Sequence, residues 1–338
     1  WEKMLPMSRV QVARWAEELG LPLKRFSRKG APALAEPEAQ EVLRHREEKV
    51  RVVKELRALR KSQIHFADVI TVMDAIVPRL PLVEAPPMPS APKRRRITPV
   101  SMWCDHHVGR TIDADEMEGH NEYNFEIWAN RLWRLVKKTA GVLLRERKHN
   151  TVDRLVLCLG GDIVNNATRE ENLMTNEFPP AATSVLAGYV LAQAIQVLTA
   201  FVPWIDIYAV VGNEPRISVR PTAALRYNNF DFVVYNLISV ALQEYIAQGR
   251  IRMTIPKSPS LVFTAQGWRV LLSHGDEVRS HYGIPYYGVD RHRRIQMTMR
   301  QQPKTGQRTL DVWMLAHLHT PAQIGDGRCF IGGGLVGT

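Results

Sequence analysis

Short apolar runs separated by polar residues recur along residues 100–338. Each run has the length of a strand and ends where polar residues begin. The predicted strands cover residues 100–104, 154–159, 205–211, 270–273 and 312–316. We expect the polar residues to lie on loops at the carboxyl ends of these strands, where open α/β sheets form their sites.

Apolar residues between the predicted strands recur at helical spacing. One predicted helix face carries Phe125, Trp128, Leu132, Leu135 and Leu143. A second predicted face carries Leu186, Val190, Ala194, Val197 and Phe201. Strands that alternate with helices in this way predict a layered α/β domain over residues 100–338.

The composition changes over residues 78–99, where prolines concentrate and the basic run KRRR follows at residues 93–96. Such a composition favours an extended linker over a packed element. We therefore predict a domain boundary there, with a helical N-terminal region over residues 1–77 before it.

The N-terminal region carries two helical signals. Residues 10–19 and 21–26 have a spacing compatible with a helix-turn-helix, although short hairpins of this kind more commonly only pack. Residues 38–60 read as a long charged helix with one apolar face. We expect a partner protein or a second copy of the chain to bind through these helices.

The chain is basic, because 45 Lys and Arg residues against 34 Asp and Glu residues give a formal net charge of +11. Such an excess attracts polyanions, so DNA is the first partner to consider. The alternative is a basic surface that is simply solvated.

The three cysteines, Cys104, Cys158 and Cys329, lie far apart, so neither a disulfide framework nor a zinc ribbon is indicated. A reducing, cytoplasmic setting is expected, which would be the host cytoplasm for a viral protein. No apolar stretch approaches the roughly 20 residues needed to span a bilayer, and no basic-then-apolar leader opens the chain. No membrane partner is therefore expected.

Five polar clusters follow the predicted strands and together offer carboxylates, imidazoles and an amide. They read CDHHVG at 104–109, GGDIVNN at 160–166, VVGNEPR at 210–216, SHGDE at 273–277 and AHLHTP at 316–321. Divalent Mn, Fe and Zn suit such a mixed nitrogen and oxygen set. Two ions about 3.5 to 4 Å apart need a bridging carboxylate, and Asp162, directly after a glycine pair, is the natural bridge.

In their order, these clusters resemble the D-x-H, G-D, G-N-H, H and G-H-x-H motifs of the calcineurin-like metallophosphoesterase family, over residues 97–338. Members of that family are sandwiches of two sheets flanked by helices, so the resemblance implies an α/β fold of that kind. It also implies two divalent metal ions, with Mn expected and Zn, Fe or Mg as alternatives. The implied ligands are Asp105, His107 and His319 for the first ion, Asn213, His274 and His317 for the second, and Asp162 for both.

Two residues depart from the family pattern. Ala316 replaces the glycine of G-H-x-H, a change that its short side chain should tolerate. Glu214 replaces the histidine of G-N-H, which in the family sits beside the leaving-group oxygen. The alternatives for Glu214 are an altered catalytic acid, a partner of the metal site, or a mark of weak or lost activity. Arg216 is predicted to reach a substrate phosphate, with pairing to a neighbouring acid as the alternative.

A second basic run lies at residues 291–294, just after Tyr282, Tyr286 and Tyr287. Its three arginines are predicted to contact nucleic-acid phosphates, and the tyrosines to stack unpaired bases. Solvated charge and ordinary packing are the alternatives for the two groups. The predicted phosphate contacts are Arg291, Arg293 and Arg294.

The predicted activity is metal-assisted hydrolysis of phosphodiester bonds, with DNA as the expected substrate. The resemblance then implies a nuclease similar to the double-strand-break repair nucleases of the family or to its phage exonuclease-like members. One alternative is a phosphatase or phosphodiesterase for a smaller substrate. The other is a DNA-binding or assembly protein that retains the fold with little turnover.

Overall fold

The computed structural model describes residues 84, 86, 95–165, 168, 175–218, 226, 228–279, 285–300, 310–325 and 327–337. The predictions for residues 1–77, for most of the linker and for Tyr282 lie outside these residues. The described strands are β1 (Val100–Trp103), β2 (Arg154–Leu159), β3 (Trp204–Ala209), β4 (Ile251–Thr254), β5 (Ser260–Ala265), β6 (Trp268–Ser273), β7 (Val312–Leu315), β8 (Ala322–Ile324) and β9 (Cys329–Ile331). The described helices are α1 (Phe125–Arg147), α2 (Pro180–Leu198), α3 (Phe230–Ala241), α4 (Gln243–Ala247) and α5 (Pro285–Met299).

The described strands form two sheets. The first has the order β1-β2-β3-β4, and every neighbouring pair is parallel. The second has the order β5-β6-β7-β9-β8 and is mixed, because β6, β7 and β9 are parallel while β5 and β8 are antiparallel to their neighbours. Helices connect the parallel strands of the first sheet, as parallel pairing requires a long crossover.

Alternate residues of β2 face opposite cores, which is the expected consequence of the strand period. Leu155, Leu157 and Leu159 pack with the buried residues of α1, α2 and α3. Val156 and Cys158 face the other way and pack against β5 and β6 of the second sheet. The outer side of the second sheet packs against α5 in a third cluster. The fold is therefore α/β, two sheets flanked by helices, consistent with the fold that the resemblance implies.

Helix α1 begins where the Asn124 side chain accepts a hydrogen bond from the backbone N–H of Ile127, at 2.9 Å. Such a cap satisfies one of the first N–H groups of a helix. Its buried face matches the predicted one at four of five positions, while Leu135 is only partly buried. The buried residues of α1 are Phe125, Trp128, Leu132, Val136, Ala140 and Leu143.

Each of the five predicted strands overlaps an observed one, with ends that differ by at most two residues. The strands that the pattern missed are β4, β5, β8 and β9, of which β8 and β9 have only three residues each. β5 and β6 form a hairpin around Gln266 and Gly267, which have φ angles of 51° and 81°. A turn of this type carries Asn-Gly or Asp-Gly more commonly than Gln-Gly, so its signal was weak.

Helix α2 corrects one expectation. It has 19 residues and a mean hydropathy of 1.5, so by length and composition it is able to cross a membrane. However, 67% of this stretch is buried inside the fold, where α2 packs against α1 and α3. An apolar helix of this kind is what a buried position between other elements requires.

Candidate metal centre

The loops that follow β1, β2, β3, β6 and β7 carry the five polar clusters and are tied to one another by backbone hydrogen bonds. The N–H groups of Asp105 and His107 donate to the carbonyls of Gly161 and Asp162, both at 2.9 Å. The N–H of Ala316 donates to the carbonyl of His274 at 2.8 Å. These bonds join the first cluster to the second and the fourth cluster to the fifth.

Two close backbone approaches explain the glycines in these loops. A Cβ on Gly212 would lie 1.9 Å from Oδ1 of Asp162, and a Cβ on Gly161 would lie 2.5 Å from the backbone nitrogen of Gly212. Any side chain at either position would push the two loops apart. The glycines of the G-D and G-N motifs therefore bring Asp162 and Asn213 together.

The backbone is strained where the predicted ligands lie. Among the described residues, seven that are not glycine have positive φ angles, and five of these are predicted metal ligands. A non-glycine residue in this region costs on the order of 1 to 3 kcal/mol and persists only where the surroundings enforce it. The five ligands are Asp105 (53°), His107 (47°), Asp162 (53°), His317 (69°) and His319 (58°).

The first candidate metal-binding group consists of Asp105, His107 and His319, whose ligand atoms lie within 4.8 Å of one another. The two Nε2 atoms of His107 and His319 are 3.1 Å apart. Nε2 of His319 is 3.6 Å from Oδ1 of Asp105. The Asp105 carboxylate also accepts the backbone N–H of His317, at 3.0 Å, so the second group helps to orient it.

The second candidate group consists of Asp162, His274 and His317, also within 4.8 Å. Nε2 of His274 is 3.1 Å from Oδ2 of Asp162 and 3.0 Å from Oδ1 of Asn213. The other ring nitrogen of His274, Nδ1, is 2.8 Å from the carbonyl oxygen of Gly160. A carbonyl partner of this kind fixes the ring orientation of a metal-ligating histidine.

Asp162 lies between the two groups. Its Oδ2 atom is 3.1 Å from Nε2 of His274 and 4.0 Å from Nε2 of His107. Its Oδ1 atom accepts the backbone N–H of Glu214 at 2.9 Å. The structure thus brings together all seven predicted ligands, with the predicted bridge in the middle, and ligation itself stays a prediction.

The charges of the two groups are strongly coupled. Burial alone would lower the pKa of His274, but Asp162 outweighs it and raises that pKa to about 10. Burial would likewise raise the pKa of Asp162, yet His274 and then His107 lower it. Burial lowers the pKa of His107 to about 4 and raises the pKa of Asp105. Positive charge beside Asp162 thus stabilises its carboxylate, and a divalent cation held by this mixed donor set would supply such charge.

Asp231, on the first turn of α3, is a functional residue that the sequence reasoning missed. It is fully buried, and its carboxylate accepts backbone N–H groups from Asp162, Ile163, Val164 and Gly212 at 2.9 to 3.3 Å. It therefore joins the loop after β2 to the loop after β3. No sequence motif identifies Asp231, because its carboxylate binds backbone N–H groups, and these do not depend on the side chains of the residues that donate them.

The predicted catalytic residues occupy the loop after β3. Glu214 is partly buried, and its Oε1 atom accepts a hydrogen bond from Nδ2 of Asn213 at 2.9 Å. Arg216 is partly buried as well, and its Nε donates to the carbonyl of Ser218 at 3.1 Å. A contact between Arg216 and a substrate phosphate stays a prediction.

His106, which neighbours two predicted ligands, points into the core instead. Its ring is fully buried, and Nδ1 accepts a hydrogen bond from Nε1 of Trp128 at 3.2 Å. Burial, and then the neighbouring His107, lower its pKa to about 3. His106 is therefore a neutral core residue that helps to hold α1 against the loop after β1.

The predicted phosphate contacts lie on α5. Arg293 and Arg294 both pair with Asp290, at 2.9 Å each, and the Arg293 side chain is only 16% exposed. Arg291 is exposed, as are Tyr286 and Tyr287. A phosphate role stays a prediction for all three arginines, and the burial of Arg293 leaves it the least accessible of them.

Comparisons with known proteins give distant likenesses only. No family model and no curated protein matches the chain. Among solved structures, wild-type Vps29 from Entamoeba histolytica complexed with Zn²⁺ is 10% identical, with a TM-score of 0.26 over 70% of this chain and 73% of that chain. A single mutant of the same protein is also 10% identical, with a TM-score of 0.25 over the same shares.

Replacing Asp231 by Asn should destabilise the protein. An amide keeps one acceptor but turns a donor toward backbone N–H groups, and each buried N–H left without an acceptor costs roughly 1 to 3 kcal/mol. We expect the free energy of unfolding, measured by urea titration, to fall by about 3 kcal/mol. Glu244→Gln, the same change at an exposed position on α4, is the control and should have little effect. Equal stabilities for the two variants would contradict the role of Asp231.

The geometry also predicts two bound divalent ions per chain. After EDTA treatment and dialysis against Mn, elemental analysis should find two equivalents in the native chain and fewer in Asp162→Asn, which loses the shared ligand. Glu116→Gln, an exposed carboxylate in the loop after β1, is the control. Affinity should rise with pH, because a proton on His274, whose pKa Asp162 raises, competes with the cation. Full loading of Asp162→Asn would contradict the bridging role.

Proposed function

We propose that this chain is a two-metal phosphoesterase that hydrolyses phosphodiester bonds, with DNA as its substrate. The proposal rests on the two adjoining groups, each of which has one carboxylate and two imidazoles. Asp162 lies within 4.0 Å of an imidazole in each group. Sites with two neighbouring ions and a shared carboxylate are typical of phosphoester hydrolysis. The ordered family motifs support the same reading.

In this proposal Asp105, His107 and His319 hold one ion, Asn213, His274 and His317 hold the other, and Asp162 contacts both. When bound, such ions polarise the phosphate and supply hydroxide at neutral pH. The strained loops of the chain hold these ligands in position. Because these ligands are mostly buried, they are set before substrate arrives, which reduces the reorganisation that the reaction requires.

Of the three roles considered for Glu214, the contacts favour a partner of the metal site. A side-chain amide has one acceptor oxygen and one donor NH₂ group. In Asn213, the Nδ2 group donates to Glu214, so the Oδ1 oxygen is directed at His274, 3.0 Å from its Nε2 atom. The carboxylate of Glu214 thus orients Asn213 with its oxygen toward the ion. We propose Glu214 as a positioning residue for that ligand.

DNA is the favoured substrate because the formal charge of +11 attracts polyanions and raises their rate of encounter. Exposed Arg291 on α5 and the exposed basic residues Lys137 and Lys138 on α1 contribute to that charge. A smaller phosphoester would gain less from an extended basic surface, so comparison of the two substrate classes is part of the test.

Linear single-stranded and double-stranded DNA should be cleaved in the presence of Mn, in a gel or fluorescence assay. We expect EDTA to abolish cleavage and Asp162→Asn to lower the rate at least about 100-fold, since loss of transition-state charge stabilisation of about 3 kcal/mol has that effect. A small phosphodiester such as bis(p-nitrophenyl) phosphate, assayed in parallel, reports on the alternative substrate class.

Activity on the small ester with no activity on DNA would contradict the choice of DNA and favour a phosphatase or phosphodiesterase for small molecules. Bound Mn with no hydrolysis of either substrate would contradict the enzymatic proposal and favour a binding or assembly role. The Glu116→Gln variant should match the native chain throughout.

A second experiment separates the positioning role of Glu214 from the role of a catalytic acid. Glu214→Gln retains an acceptor for Nδ2 of Asn213 but has no proton to give to a leaving group, whereas Glu214→Ala loses the acceptor. If Glu214 positions Asn213, Glu214→Gln should retain Mn binding and turnover within about fivefold. Glu214→Ala should weaken Mn binding about tenfold or more. Loss of turnover in Glu214→Gln with normal Mn binding would contradict the positioning role and favour the role of a catalytic acid.

A further inference from the structure

A cavity lies at the end of the parallel sheet opposite to the metal ligands. It has a volume of about 610 Å³, and its walls come from residues near the starts of β1, β2, β3 and β4 and from Gln266 in the β5–β6 turn. The metal ligands Asp105 and Asp162 follow the ends of β1 and β2. Because β2 has six residues that rise roughly 3.3 Å each, the two sites are about 20 Å apart. A molecule in this cavity is therefore bound separately from the metal centre.

The cavity is basic. Four arginines and two aspartates line it, which leaves two positive charges in excess. Asp153 pairs with Arg96 at 3.3 Å, while Asp206 is shared by Arg154 and Arg252, the latter at 3.8 Å. The fourth arginine, Arg250, also lines the cavity and donates to the carbonyl of Thr199 at 2.8 Å.

Two of these arginines have guanidinium groups in solvent. The side chains of Arg96 and Arg252 are 65% and 78% exposed, whereas those of Asp153 and Asp206 are only 10% exposed. The carboxylates are thus the buried partners of these two exposed arginines. A guanidinium has five N–H donors, more than one carboxylate contact uses, so these two arginines can also bind a phosphate in the cavity.

An aromatic surface adjoins these charges. Trp204, the first residue of β3, lines the cavity and is 42% exposed. Its backbone N–H donates to the carbonyl of Asp153 at 3.1 Å, and it pairs in register with Arg154, so the strand fixes its position. An exposed indole on a fixed strand position beside arginines is an arrangement on which an unpaired base stacks while its phosphate is held.

We propose that this cavity binds a nucleotide unit, with its phosphate on one of the exposed arginines, Arg96 or Arg252, and its base on Trp204. A free nucleotide and one residue of a single strand offer the same chemistry. The inference does not depend on hydrolysis at the metal centre. For a chain that acts on DNA, such a site would retain a strand about 20 Å from the reacting phosphate.

The test measures binding in EDTA, where hydrolysis and metal-mediated phosphate contacts are both absent. A fluorescently labelled short oligothymidylate is titrated by anisotropy, and thymidine 5′-monophosphate is added as competitor. We expect Trp204→Ala and the double variant Arg96→Ala/Arg252→Ala each to weaken oligothymidylate binding about tenfold or more. Trp204→Phe, which retains a stacking ring, should recover most of the affinity and also serves if Trp204→Ala folds poorly.

Matched controls come from equally exposed residues outside the cavity lining. Trp268→Ala removes an indole that is 52% exposed, and Arg145→Ala removes an arginine whose side chain is 67% exposed. Both should bind as the native chain does. Competition by the monophosphate would identify a pocket for free nucleotides, and binding of the oligothymidylate alone would identify a strand-binding site.

Two results would overturn the proposal. One is the absence of saturable binding for both probes. The other is equal loss of affinity in the cavity variants and in their controls, which would indicate general attraction to a basic surface. Either result leaves the proposed hydrolysis untouched, because that activity is measured with Mn and tested by Asp162→Asn.

Discussion

The candidate site depends on one buried carboxylate that is not itself a proposed ligand. Asp231 accepts four backbone N–H groups, three from the segment that begins at Asp162 and one from Gly212, beside Asn213. Buried N–H groups without acceptors are costly, so this side chain fixes how the loops after β2 and β3 meet. Its own position follows from α3, which the Asn229 side chain caps. The helix thereby controls the geometry of a site that its other residues do not enter.

The loops that carry the predicted ligands store strain that the rest of the domain supports. Five predicted ligands have positive φ angles, and two glycines allow backbone approaches that any side chain would prevent. Such conformations hold only because the strands and helices below them are well packed. The apolar clusters on both sides of the first sheet supply that packing. The positions of the predicted ligands therefore depend on the packing of the core.

The parallel first sheet also separates two kinds of chemistry. At its carboxyl edge, acidic and imidazole side chains converge in buried loops suited to cations. At its amino edge, arginines and an exposed indole surround a cavity suited to an anion with an aromatic ring. In the proposed nuclease, the first edge would cleave a phosphodiester while the second retained another part of the same strand. Parallel pairing keeps all starts of strands on one side and all ends on the other, which makes this division possible.

Strand periods and the polarity at strand ends are local signals, so the amino-acid pattern alone predicted which strands carry the polar clusters and the order of the ligand-type residues. It left β4, β5, β8 and β9 undetected, because β4, β8 and β9 have only three or four residues each and the turn after β5 lacks the usual Asn-Gly or Asp-Gly signal. The fold was needed to show that His106 belongs to the core and His107 to the site, although the two residues are adjacent in the chain. Asp231 and the arginine cavity were likewise visible only once strand starts and loops from distant positions met. Local patterns report what each segment prefers, whereas sites of this kind are made by contacts between segments far apart in sequence.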